Sequence, residues 1–123
     1  MAIKLYSYWR SSCSYRVRIC LALKSLQYET VAVHLVRDGG EQNADDYKNN
    51  LNPSAQVPTF VDDGFKLTQS VAIMEYIDSK YSEGHKLYPD NIESAAKVRQ
   101  VISMEVVIGS LECLMKILIL KER

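Results

Sequence analysis

Ile3, Leu5 and Ser7 alternate with Lys4, Tyr6 and Tyr8, the period-2 pattern of a short strand. The period changes after Trp9-Arg10. Ser11 and Ser12 are helix-capping residues, and the pattern predicts a helix running to about Ser25. Its apolar stripe is expected at Ile19, Ala22, Leu23 and Leu26, with Arg16, Arg18 and Lys24 on more solvated sides. Residues 29–35 return to alternation, with Val31, Val33 and Leu35 on one face. The stretch 36–52 is polar and holds Gly39-Gly40 and paired acids. It reads as a loop followed by a short helix near 44–50. Pro53 and Pro58 punctuate the next segment. Residues 59–62 and 65–67 are strand-like, and Asp63-Gly64 between them is a hairpin signal. Gln69-Ser70 then opens a helix whose apolar face is Ile73, Met74, Ile77 and Tyr81.

This order predicts an α/β fold. A βαβ unit joins two parallel strands through a right-handed crossover, and an added hairpin makes the sheet mixed. Residues 82–91 contain Gly84 and Pro89 and read as a linker. From 92 to about 120 the pattern is one long helix. It is apolar almost all round in its second half, through Leu111, Leu114, Met115, Leu118 and Leu120. Such a helix needs cover on several sides, so a partner chain is expected.

Composition narrows the function. Fifteen basic and fifteen acidic side chains cancel. No block of one sign offers a footprint for nucleic acid or for an anionic membrane. Neither a signal peptide nor a membrane span is evident. Three scattered cysteines, Cys13, Cys20 and Cys113, form no C-x-x-C pair, and with His34 and His85 they give no metal-ligand spacing. A reducing, cytoplasmic setting is expected.

The chemistry is concentrated in Ser11-Ser12-Cys13. Two hydroxyls and a thiol sit where a helix begins, and there unpaired N–H groups and the helix dipole favour an anion such as a thiolate. Read by themselves, the serines are first of all caps and Cys13 a small buried hydrophobe. Ser70 and its neighbours are likewise either a plain cap or an anion site.

Three stretches together go further. SSCSYRVRICLALK, LNPSAQVPTF and LTQSVAIMEYID, in this order and at this spacing, resemble the zeta class of glutathione transferases, the family that includes maleylacetoacetate isomerase. The resemblance implies a thioredoxin-like domain over residues 1–82, a linker over 83–91, and the first helix of an all-helical domain over 92–123. Family members continue well beyond that helix, so a shortened form is expected, with weakened catalysis. The implied cofactor is glutathione and the implied partner a small electrophile. The implied assembly is a homodimer, or a heterodimer with a related chain. The implied reaction is cis–trans isomerisation of maleylacetoacetate in tyrosine and phenylalanine catabolism, or conjugation of small α-halo acids.

Residue by residue, the resemblance gives Ser11 the role of hydroxyl donor to the glutathione sulfur, with Ser12 beside it and Cys13 tuning the site. Val57 would pair its backbone with the cysteinyl unit of glutathione across a cis bond to Pro58. Sequence alone predicts trans there. Gln69 and Ser70 would hold the γ-glutamyl end, and Gln42 would reach the glycyl end. Arg16 and Arg18 are open between attracting substrate carboxylates, being solvated surface charges and serving as domain-interface partners. Two other readings stand beside this one: an impaired glutathione-binding subunit or regulator, and a glutaredoxin-like or dehydroascorbate-reducing protein using Cys13.

Overall fold

The computed structural model describes residues 2–108. Strand β1 (Ile3–Ser7) leads into α1 (Ser12–Leu23) and returns in β2 (Glu29–Ala32). Two single 3₁₀ turns, Arg37–Gly39 and Glu41–Asn43, precede the short α2 (Asp45–Asn50). Strands β3 (Thr59–Asp62) and β4 (Phe65–Thr68) follow, then α3 (Ser70–Lys80) and α4 (Ile92–Ile108). The sheet order is β2-β1-β3-β4. β1 pairs parallel with β2 and antiparallel with β3, and β3 pairs antiparallel with β4. The mixed sheet of the βαβ-plus-hairpin reading is therefore present. Asp63 and Gly64 take φ of 47° and 89°, the left-handed pair of a type I′ turn that lets two residues close the hairpin.

β1 buries Ile3, Leu5 and Ser7 as its alternation predicts. On that face Ile3 and Leu5 meet Phe60 of β3, Val17, Cys20 and Leu21 of α1, and Ile73, Met74 and Ile77 of α3. Tyr47 of α2 covers the other face, its ring edge-on to that of Tyr6 at 6.2 Å. β2 stops at Ala32, three residues short of the expected end, although Val33 is buried and still bonds Ser7 O through its N–H.

The face of α1 differs from expectation. Its buried residues are Ser14, Arg16, Val17, Cys20 and Leu21, followed by Lys24, whereas Ala22 is exposed. The inward row is two residues out of step with the Ile19-Ala22-Leu23-Leu26 stripe. At about 100° per residue that is roughly 200° around the axis. Arg16 and Lys24 are not solvated. Lys24 is 1% exposed and pairs with Asp78 of α3 at 3.1 Å. Arg18, half-buried, donates to Ser7 Oγ at 2.7 Å and to the carbonyls of Tyr8 and Trp9, fastening the β1–α1 loop.

One register unites the two core helices. Arg16 meets Ser70, Cys20 meets Met74 O, and Lys24 meets Asp78, each pair 54 residues apart in sequence. α1 and α3 thus run in the same direction with matched rows at i, i+4 and i+8.

The segment after α3 is tied back at the same place. Asp78 also accepts from the backbone N–H groups of Leu87 and Tyr88, both at 2.8 Å. Gly84, at φ 67°, lies so close to α1 that a Cβ would stand 2.3 Å from Leu23 O. α4 packs Val98, Val101 and Ile102 against Val71, Leu87 and Tyr88. The apolar second half expected for this helix, with Leu111, Leu114, Met115, Leu118, Leu120 and Cys113, lies outside the described residues.

Candidate functional site

Two helix starts bound the site. Ser11 is the N-cap of α1, in extended geometry, and its Oγ accepts from Ser14 N–H at 3.1 Å. That satisfies one orphan donor and leaves the Ser11 hydroxyl proton free for a further acceptor. Capping and donation are compatible, so the two readings of Ser11 do not compete. Ser12 and Cys13 open the helix itself, both partly exposed.

α3 begins differently. Gln69 occupies the N-cap position at φ 72°, and no side chain caps the first turn. A positive φ at a non-glycine residue costs about 1–3 kcal/mol, and such strain is found at tight turns and at ligand sites. The first N–H groups of α3 are thus open to an anion. Ser70, the first residue of the helix, is 6% exposed.

Arg16 connects the two starts. Its guanidinium lies 3.2 Å from Ser70 Oγ and 3.8 Å from Cys13 Sγ, and the residue is 7% exposed. The sequence alone leaves this arginine open between carboxylate attraction, the surface and a domain interface. The signal available was its place four residues ahead of Cys20 and eight ahead of Lys24, one row along the helix.

The segment before β3 supplies an edge. The Val57–Pro58 bond is cis, as the resemblance implies and against the expectation from sequence alone. Asn52, 2% exposed, bonds Gln56 O at 3.0 Å and receives Ser54 N–H at 2.9 Å. Tyr47 OH donates to Gln56 O at 2.6 Å and stands 2.8 Å from Thr59 Oγ1. The loop is pinned on both sides of Val57. Among the described residues neither the N–H nor the C=O of Val57 has a hydrogen-bond partner. Gln42 is placed otherwise. Its amide nitrogen reaches Leu35 O at 3.4 Å, its side chain lies against Gly40, and its buried Oε1 has no partner.

The two described cysteines differ sharply. Burial, with Asp78 nearby, pushes the Cys20 thiol up to about 12, so it is inert at neutral pH. Cys13 is partly exposed and beside a guanidinium. Among the described residues no group of His, Cys, Asp and Glu could hold a metal, and no helix is long and apolar enough to cross a membrane.

By fold, then, the chain is a thioredoxin-like domain followed by a helix. Residues 1–79 match the family described as glutathione S-transferase, N-terminal domain. The chain is 46% identical over 106 residues to a maleylacetoacetate isomerase of Dictyostelium discoideum, covering 86% of this chain and 46% of that protein. With the maleylacetoacetate isomerase of Mus musculus it shares 41% over 118 residues, 96% of this chain and 53% of that one. Among solved structures it is similar to the maleylacetoacetate isomerase of Methylobacterium extorquens AM1 with bound malonate and glutathione. There the TM-score is 0.72 at 39% identity, over 80% of this chain and 44% of that one. The chain belongs to the glutathione S-transferase family, and it spans about half the length of these relatives.

Proposed function

We propose that this chain forms the glutathione-binding, thiol-activating half of a zeta-type transferase, acting in the cis–trans isomerisation of a maleyl substrate. The observation that carries the reading is the convergence of an uncapped helix start, a capping serine with a free proton and a buried guanidinium. These groups suit a peptide that has a carboxylate at one end and a sulfur in its middle. The open first turn of α3, with Gln69 and Ser70, would take the γ-glutamyl carboxylate. The unpartnered backbone of Val57 would pair with the cysteinyl unit as an added strand does. Ser11 would donate to the sulfur and so favour its anionic form, with Ser12 and Cys13 lining the same wall. Gln42 is assigned to the glycyl end by resemblance, and its unpartnered Oε1 is the group it would offer.

Bound there, glutathione would supply a nucleophilic sulfur for addition to the conjugated double bond and elimination after rotation. Ser11 and the first turn of α3 would hold it and keep the sulfur anionic before it adds. Conjugation of α-halo acids would use the same sulfur. We divide the chain into a glutathione domain at 1–82, a linker at 83–91 and the start of a helical domain from 92. We also expect a dimer, which light scattering would report.

The test combines calorimetric titration of glutathione with a glutathione-dependent isomerisation assay on a maleyl substrate. It is run beside a chain extended by a full second domain. Ser11→Ala is expected to lower turnover about a hundredfold, the scale of losing one preorganised donor. Cys13→Ala should lower it less. The reverse order would favour a redox protein built on Cys13, and absence of glutathione uptake would overturn the reading.

A further inference from the structure

We propose that Arg16 is the positioning residue of this site: its guanidinium, sealed between Cys13 Sγ and Ser70 Oγ, locks the two helix starts together and supplies the fixed positive charge that an anionic ligand must complete. The inference rests on the reading that the site takes glutathione.

A buried cation is costly unless an anion compensates it. Lys24 has Asp78, and buried Asp62 has Lys80. Among the described residues no carboxylate lies within ion-pair distance of Arg16. Its acceptors are a neutral hydroxyl and a sulfur. Its position adds to the cost. The guanidinium lies against the first residue of α3 and the second of α1, where both helix dipoles present their positive ends. Three positive sources thus converge with no negative one among the described residues. A plain structural role for Arg16 explains burial but not this location, since a neutral side chain would hold Ser70 at lower cost. An anion lying between the two helix starts would answer all three at once. The bonds to Ser70 Oγ and Cys13 Sγ are both made by Nη1, so Nη2 and Nε have no acceptor among the described residues.

The experiment is a double-mutant cycle on glutathione affinity, using the unaltered chain, Arg16→Gln, Ser70→Ala and the pair. Ultraviolet absorbance of bound thiolate is followed against pH in parallel. Arg16→Gln is expected to weaken binding about ten- to a hundredfold, the range for losing a charge-assisted hydrogen bond. It should also move the thiolate midpoint upward by about one pH unit. The double variant should lose less affinity than the product of the two single losses, because Arg16 acts in part through Ser70. Arg16→Lys should restore the thiolate midpoint while leaving affinity reduced, and it carries the test if Arg16→Gln does not fold. Effects that multiply independently would overturn the proposal. So would a drop in melting temperature with affinity and thiolate midpoint unchanged. If the unaltered chain takes up no glutathione, the functional reading falls and this inference with it. If it binds and Arg16→Gln binds equally well, this inference alone falls.

Discussion

Replacing Asp78 tests how the core is held. Asp78→Ala removes three hydrogen bonds at once: from Lys24 Nζ at 3.1 Å, and from the N–H groups of Leu87 and Tyr88 at 2.8 Å. It also strands the Lys24 ammonium, which is 1% exposed. Breaking a buried pair from one side costs about 3–5 kcal/mol. The whole stability of a domain is about 5–15 kcal/mol, so much of it should go. The opposite substitution is not equivalent. Lys24→Met removes the charge, fills a similar volume, and leaves the carboxylate with both backbone donors. Its expected cost is about 1–3 kcal/mol, the scale of one charged hydrogen bond. Urea unfolding followed by circular dichroism measures both. A Lys24→Met variant as damaged as Asp78→Ala would refute the reasoning, because the ion pair rather than the backbone donors would then dominate.

The same carboxylate sets a direction with pH. Burial pushes Asp78 upward, but the N–H groups of Leu87 and Tyr88 and the Lys24 ammonium together outweigh it and hold the group below the usual carboxylate range. A depressed folded value gives stability that is present above the unfolded pKa, near ~4, and lost as pH falls through the folded one. Asp62 contributes with the same sign. Its burial is outweighed by hydrogen bonds from Lys80, Tyr81 and Tyr76. Stability should therefore decline as pH falls below about 4. Asp78→Asn should flatten that decline without abolishing it, and a slope as steep as that of the unaltered chain would remove Asp78 from the account.

Gly84→Ala should destabilise by more than the roughly 1–3 kcal/mol of a left-handed non-glycine, because its Cβ would also meet Leu23 O at 2.3 Å. A thermal melt within error of the unaltered chain would contradict the close approach. Tyr47→Phe loses the bond to Gln56 O and leaves Thr59 Oγ1 without that partner. It should cost about 1–2 kcal/mol and weaken glutathione binding by loosening the segment that carries Val57. Calorimetry showing undiminished affinity would separate that segment from the site.

Much of the scaffold follows from local pattern. The alternation of Ile3, Leu5 and Ser7, the Asp63-Gly64 turn and the stripe Ile73, Met74, Ile77 and Tyr81 are each decided within a few residues. Every one of those side chains except the turn pair is buried. Ser11 and Ser70 were legible as helix starts for the same reason. What local pattern could not give was the buried face of α1, and the cause is chemical. A long cation is read as solvated unless its partner is known, and the partners of Arg16 and Lys24 lie 54 residues away. Yet the two misread cations share one row with Cys20, four residues apart each time, as Ser70, Met74 and Asp78 do on α3. A cation, a small thiol and a second cation at i, i+4 and i+8 cannot all face water and still leave Val17 and Leu21 inward, since these flank the same row. The packing that buries Val17 and Leu21 at 0% exposure therefore carries Arg16 and Lys24 in with them. One cation finds a carboxylate there. The other is left at the mouth of two helices, and that asymmetry places the candidate site at the Arg16 end of the row rather than at the Lys24 end.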